Sequence, residues 1–252
     1  MSLDFGLERE EARTEPSPYS PLPPAEPEPA PDMRKRRRRQ IVRIIAAIIA
    51  LPFVLTVVYT VVPPVSTLML GRWLTLQPVE RDWVSFERIN PSLARAVISS
   101  EDARFCSHWG VDWDALWLVI EEAGEDGPSR GASTITMQVA KNLFLWPGGG
   151  YLRKPFEIVL ATWIDLVWSK RRTMEVYLNI VEWGPNGVFG AEAIARKAFR
   201  KPAANLNAGE SAILAAALPN PIVRNSAKPT RLQMRRAAGI SSRGADTSCL
   251  SR

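Results

Sequence analysis

From Ile44 to Val62 the chain runs nineteen residues without a charge, directly behind the basic segment RKRRRRQIVR. At about 1.5 Å of rise per residue a helix of that length spans roughly 28 Å, close to the ~30 Å hydrocarbon core of a bilayer. The run is apolar on every side and lacks the polar face of a globular helix, so it reads as a transmembrane helix rather than a core helix. Pro52 is compatible with such a span. The leader ahead of it is long and acidic and no A-x-A site follows, so an uncleaved anchor is expected in place of a cleaved signal peptide. Residues 34–43 carry seven bases and no acid. By the positive-inside rule the N-terminus is cytoplasmic and everything after Val62 lies on the far side.

The remaining charge decides which partners are excluded. Residues 1–33 hold eight acids against two bases in a Pro/Glu-rich stretch that reads as a disordered tail, and Pro221 to the end holds seven bases and one acid. The interior is close to neutral, so the basic balance belongs to two short stretches and not to a nucleic-acid-binding face. With one histidine and two cysteines, Cys106 and Cys249, a His/Cys zinc site is not expected. A bridge between the two cysteines is conceivable in an oxidising compartment, but two unpaired thiols are the expectation. No G-x-x-x-x-G-K-[ST] loop occurs. The chemistry therefore has to rest on carboxylates.

The outward segment reads as mainly α-helical. Asn90 and Pro91 mark a helix start, and the apolar stripe Leu93, Ala94, Val97 and Ile98 ends just before Glu101 and Asp102. Near a helix C-terminus the macrodipole and an adjacent acid both push a carboxylate pKa upward, which suits a general base; the alternative is a solvated helix end. In GASTITMQVAKNLF, with Ser133 as N-cap, the residues Thr134, Gln138, Lys141 and Asn142 form a narrow polar strip in an apolar surround. Such a strip lines a cleft or, equally, is the wet side of an ordinary amphipathic helix. Pro155 starts another helix running to about Trp168, with Glu157 in the first turn, where Arg153, Lys154 and Glu157 can also be read as a local salt-bridge group. Helices follow at SKRRTMEVYLNI, capped by Ser169, at AEAIARKAF, and at NAGESAILAAA, where Asn207 and Glu210 form a capping box. The one alternating stretch with strand character is Trp83 to Ile89.

These blocks in this order resemble the peptidoglycan glycosyltransferase family, the polymerase modules of class A penicillin-binding proteins and their monofunctional relatives. EDARFCSHWG is similar to the family's E-D-x-x-F-x-x-H-x-G, GASTITMQVAKNLF to G-x-S-T-I-T-x-Q-x-x-K-N, RKPFE to R-K-x-x-E, and MEVYLN to E-x-Y-L-N, with GVFGAEAIARKAF and ALPNP following. Pro155 and Met137 are unusual fillers. The resemblance covers roughly 81–221 and implies a lysozyme-like, two-lobed α domain. The organisation expected is a tail at 1–33, a basic segment at 34–43, the span at 44–62, a linker at 63–80, the glycosyltransferase domain at 81–221 and a basic tail at 222–252.

The resemblance implies a polymerase that transfers a lipid-diphosphate-linked glycan to the 4-hydroxyl of lipid II with inversion, releasing undecaprenyl diphosphate. Glu101 is then the base, Asp102 its support and Glu157 the second carboxylate at the donor side. Lys141, Arg153 and Lys154 meet the leaving diphosphate, and Thr134, Gln138 and Asn142 line the cleft. Phe105, His108, Glu175 and Asn179 are motif residues that hold the structure together. No tightly bound cofactor and no metal ligand set are expected, with a divalent cation such as magnesium at the diphosphate left open. The expected partners are lipid II, the lipid-linked glycan and the bilayer, with proteins of the cell-wall or division machinery left open. The expected location is the bacterial inner membrane, single-pass, with the catalytic domain periplasmic. Lacking S-x-x-K and K-T-G motifs, the chain is not expected to cross-link peptides. A lysozyme-like hydrolase and a non-catalytic anchored scaffold are the competing readings.

Overall fold

Short polar side chains start most of the helices. Ser66, Asn90, Asp112, Thr134, Ser169, Asn207 and Thr230 each accept a hydrogen bond from an amide in the first turn of the helix that follows. The computed structural model describes residues 33–122 and 131–251, so the expected tail lies outside the described residues except for Met33. The fold is mainly α, as the sequence implies.

The described chain falls into two units, one ending at Ile44 and one beginning at Ile45. Helix α1 (Met33–Val58) takes in the basic segment that the sequence sets apart and stops at Val58 rather than Val62. Its 26 residues make it the one described helix long and apolar enough to cross a membrane. In the first unit the described residues are all helical and exposed. In the second, the end of α1 is tied to residues 163–172 by side chains. Trp163 Nε1 donates to Phe53 O at 3.2 Å, Trp168 Nε1 to Thr56 O at 2.8 Å, and Arg172 Nη2 to Tyr59 O at 2.7 Å and Val62 O at 2.9 Å.

The second unit continues with α2 (Thr67–Leu74), β1 (Glu80–Arg81), α3 (Pro91–Glu101), α4 (Trp113–Glu121), α5 (Ile135–Phe144), α6 (Lys154–Val167) and α7 (Lys170–Ile180). Then come β2 (Glu182–Gly184), β3 (Val188–Phe189), α8 (Ala191–Phe199), α9 (Ala208–Ala217) and α10 (Arg231–Ser242). Helices α3, α9 and α10 pack as one group, and α5, α6 and α7 as another. Helix α5 is the centre of the second group, with Ile135, Met137, Val139, Ala140 and Leu143 all buried, so it has no broad wet side. The strands form a small sheet in the order β1-β3-β2, parallel between β1 and β3 and antiparallel between β2 and β3. Trp83 to Ile89 is not a strand. Its backbone is held by side chains instead, and Phe86–Arg88 forms a 3-10 turn.

Two expectations for the C-terminal part are overturned. Residues 222–252 are not merely a tail, because α10 buries Gln233, Ala237 and Ile240 against α9 and α3. Cys106 and Cys249 are not free thiols but a disulfide, 143 residues apart in sequence, joining the loop after α3 to the 3-10 turn Ser248–Leu250. The sequence separation hid the pairing; α10 turns the chain back so that the two Cα atoms stand 5.4 Å apart.

Candidate active site

Glu101 is the last residue of α3, held there because the apolar residues of α3 pack the helix against α9. One carboxylate oxygen, Oε2, accepts from Gln138 Nε2 of α5 at 3.1 Å, and the other, Oε1, accepts from Ser100 Oγ at 3.1 Å. Tyr177 of α7 is wholly buried, and its hydroxyl donates to Gln138 Oε1 at 3.1 Å. A relay from Tyr177 through Gln138 thus fixes the carboxylate. Burial raises the Glu101 pKa above its ordinary value, opposed by the hydrogen bonds from Gln138 and Ser100 and by the charges of Lys141 and Arg224. The direction is the one expected from the helix end, but the cause is burial.

Asp102, the C-cap of α3, turns away from that position. Its Oδ1 accepts from His108 Nε2 at 2.9 Å and its Oδ2 from the backbone N of Ile135 at 2.9 Å, and it is buried. His108 is buried too, and its backbone oxygen accepts from Lys170 Nζ at 2.7 Å. The Lys170 ammonium stands 4.8 Å from the centre of the fully buried Phe105 ring. Asp102, Phe105 and His108 therefore lock the loop after α3 onto the first turn of α5. Gly110 closes that loop with φ +74°; a Cβ there would lie 2.5 Å from the backbone oxygen of Ala161 in α6.

Helix α5 begins at Ile135 with Thr134 as its N-cap, one residue later than the expected Ser133. The Thr134 hydroxyl is committed twice, accepting from Met137 N and donating to Gly110 O at 2.6 Å. Asn142 is buried, and its backbone oxygen accepts from Thr67 Oγ1 at 3.2 Å. Of the polar strip, Thr134 and Asn142 are thus largely buried, each at the wall of a hollow, and Gln138 holds Glu101.

Lys141 lies one turn beyond Gln138. It has no hydrogen-bond or ion-pair partner among the described residues, and burial lowers its pKa. The charges of Glu157 and Glu101 work the other way. Glu157 in the first turn of α6 is buried at 1% exposure, and both its oxygens are taken, by Arg153 Nε at 2.6 Å and Lys154 Nζ at 2.7 Å. Arg153 also donates to the backbone oxygens of Trp146 and Gly148, and Lys154 to Ser133 Oγ. Pro155 sits in the first turn, where it removes no helical hydrogen bond, so the RKPFE block keeps its geometry. Two cations, Arg153 and Lys154, around one carboxylate leave the cluster positive beside Lys141, which lines a hollow of about 170 Å³ with Asn142, Trp146, Gly148 and Arg153. A larger hollow, about 370 Å³, opens on the other side of the motif and is lined by Glu101, Asp102, Arg104, Asp112, Ser133 and Thr134. Arg104 is fixed there by Asp112 and Asp114.

Two motif residues of α7 lie away from these hollows. Asn179 accepts from Val84 N at 3.0 Å and donates to Val84 O at 2.9 Å, and Glu175 accepts from Phe86 N at 3.3 Å and from Arg172 at 2.6 Å. Ser100, which holds the Glu101 carboxylate directly, and Tyr177, which holds it through Gln138, carried no signal in the sequence beyond Tyr177 standing inside the MEVYLN block.

A half-buried carboxylate held by a side-chain relay, within electrostatic reach of a lysine that has no partner among the described residues and that itself stands beside a cluster of cations, in a mainly helical fold, is the equipment of a glycosyltransferase. The family model described as Transglycosylase matches residues 69–243, taking in most of α2 and all of α10 as well as the expected 81–221. A biosynthetic peptidoglycan transglycosylase of Rhodopseudomonas palustris (strain TIE-1) is 54% identical over 195 residues, covering 77% of this chain and 83% of the relative. The enzyme of the same description from Brucella suis biovar 1 (strain 1330) is 55% identical over 200 residues (79% and 88%), and that from Agrobacterium fabrum (strain C58 / ATCC 33970) 48% over 219 residues (86% and 96%). The chain belongs to the family of biosynthetic peptidoglycan transglycosylases.

Proposed function

We propose that the enzyme polymerises glycan strands by transferring the growing, lipid-diphosphate-linked glycan to the 4-hydroxyl of lipid II, with inversion at the anomeric carbon. A sugar hydroxyl cannot ionise unaided near neutral pH, so Glu101 takes its proton as the new bond forms, a contribution of roughly 10²–10⁴-fold. Gln138, Ser100 and Tyr177 fix the carboxylate, and Asp102 with His108 positions the loop that carries it. Undecaprenyl diphosphate leaves with the bonding electron pair, and Lys141, Arg153 and Lys154 neutralise the charge it gains. Glu157 holds Arg153 and Lys154 in place through both of its oxygens.

The observation that carries this reading is the pairing of roles along α5, where Gln138 holds the base and Lys141, one turn on, is left without a partner among the described residues. A hydrolase needs a carboxylate pair but no cationic cluster for a diphosphate. Among the described residues no group of three or more His, Cys, Asp and Glu side chains could hold a metal ion, and each oxygen of Glu157 is engaged by a cation.

Helix α1 anchors the enzyme in the inner membrane with its N-terminus cytoplasmic and the catalytic domain periplasmic, so enzyme and lipid-linked substrates meet in two dimensions. Peptide cross-linking is not part of the activity, and cell-wall or division proteins are the partners such a position brings within reach. The test is to incubate the purified protein with lipid II and separate the products by size. Long glycans, with lipid diphosphate released, support the proposal; shortening of preformed glycan without new polymer rejects it.

A further inference from the structure

Glu101 has cations on two sides, and the proposed transfer uses only one of them. On the side of its Ser100 hydrogen bond lies a hollow of about 370 Å³ lined by Ser100, Arg224, Arg236 and Arg243, with no acidic residue in its wall. Arg224 donates to Ala216 O at 3.0 Å, lines this hollow with Arg236 and Arg243, and is within electrostatic reach of both Arg236 and Glu101. Arg236 and Arg243 are exposed and have no ion-pair partner among the described residues. Like charges gathered without a counter-charge repel one another, and an anion in their midst relieves that repulsion. The arginines also stand on a fixed support, since α10 packs on α9 and the chain beyond it is bonded to the Glu101 loop through Cys249 and Cys106.

We propose that the Arg224–Arg236–Arg243 hollow binds an anionic group of the acceptor substrate and so delivers the acceptor hydroxyl to Glu101. The inference rests on the proposed function. In lipid II the 4-hydroxyl and the anions sit on neighbouring sugars, so a hydroxyl placed at Glu101 brings negative charge within about one sugar of the base. The cluster of Lys141, Arg153 and Lys154 is then engaged by the donor's diphosphate, and the acceptor needs cations of its own. Guanidinium groups bind phosphate and carboxylate alike, each in bidentate fashion. The anion is therefore either the acceptor's diphosphate or a carboxylate of its peptide.

Two soluble probes separate these sources: the disaccharide bearing the peptide without the diphosphate, and the disaccharide diphosphate without the peptide. Their binding is measured by calorimetry on the full-length protein and on the double variant Arg236→Ala/Arg243→Ala, whose exposed positions leave the core untouched. Arg236→Lys/Arg243→Lys is the conservative control. The donor-side cations are the same in every protein, so a difference in binding reports on the hollow. A loss of about tenfold or more in affinity for one probe, partly restored by lysine, supports the proposal and identifies the anion. Unaltered binding of both probes by the double variant, or no binding of either by the unaltered protein, overturns it. Polymer formation from lipid II is scored in parallel: without polymer the proposed function itself falls, whereas polymer with unaltered probe binding removes only the arginine hollow.

Discussion

Glu101 and Lys141 are shifted toward each other by the same cause. Burial raises the carboxyl and lowers the ammonium, so the pH range in which one is ionised and the other protonated is narrowed from both ends. Polymerisation should therefore follow a bell-shaped pH profile, rising as Glu101 loses its proton and falling as Lys141 loses its own. The Gln138 hydrogen bond lowers the Glu101 pKa, so Gln138→Ala should move the acidic limb to higher pH, and initial rates across pH check this. An acidic limb that stays in place would dissociate Gln138 from the base. Stability supplies an independent reading. A carboxyl whose folded pKa lies above its unfolded value stabilises the fold least at high pH, where it must be ionised in a buried place. Glu101→Gln should thus raise Tm at neutral and alkaline pH, with the gain fading as the pH falls below the unfolded pKa of Glu101; melting curves at several pH values test it.

At the scale of elements, the structure rests on connections that the sequence signals only in part. Gly110 has φ +74° with its Cα against the α6 backbone, so Gly110→Ala should cost about 2 kcal/mol or more, read from denaturant unfolding. The Cys106–Cys249 bond closes a loop of 143 residues, for which chain entropy allows up to about 5 kcal/mol. Cys249→Ser, or reduction of the unaltered protein, should lower Tm, and a Tm insensitive to reductant would show that the bond contributes nothing. The starts of α3, α7 and α9 were legible because Asn90, Ser169 and Asn207 cap them as short polar residues do. The start of α5 was ambiguous because Ser133 and Thr134 are adjacent and equally able to cap, and only the commitment of Thr134 to Gly110 O decides between them. Helix α10 was illegible because it buries so narrow a stripe, Gln233, Ala237 and Ile240, among arginines. The strands were illegible because two or three residues cannot display alternation.

At the scale of the molecule, motif blocks far apart in sequence meet around Glu101 and Lys141. Glu101 comes from the first, Gln138 and Lys141 from the second, the Arg153–Lys154–Glu157 cluster from the third and Tyr177 from the fourth. Residue types and order were readable from the chain, whereas the division of labour was not: spacing cannot show that Asp102 faces His108, or that Gln138 spends both ends of its amide on protein groups. Exposed apolar side chains continue beyond α1, with Leu70, Trp73 and Leu74 on α2 and Phe156, Val159 and Leu166 on α6. The proposed transfer turns on the removal of the acceptor proton by Glu101. Its most direct test is the initial rate of glycan polymerisation from lipid II by Glu101→Gln, in protein shown by its melting curve to be folded. The expected rate is lower by about 10²–10⁴-fold; a folded variant that polymerises at the unaltered rate would rule out Glu101 as the base.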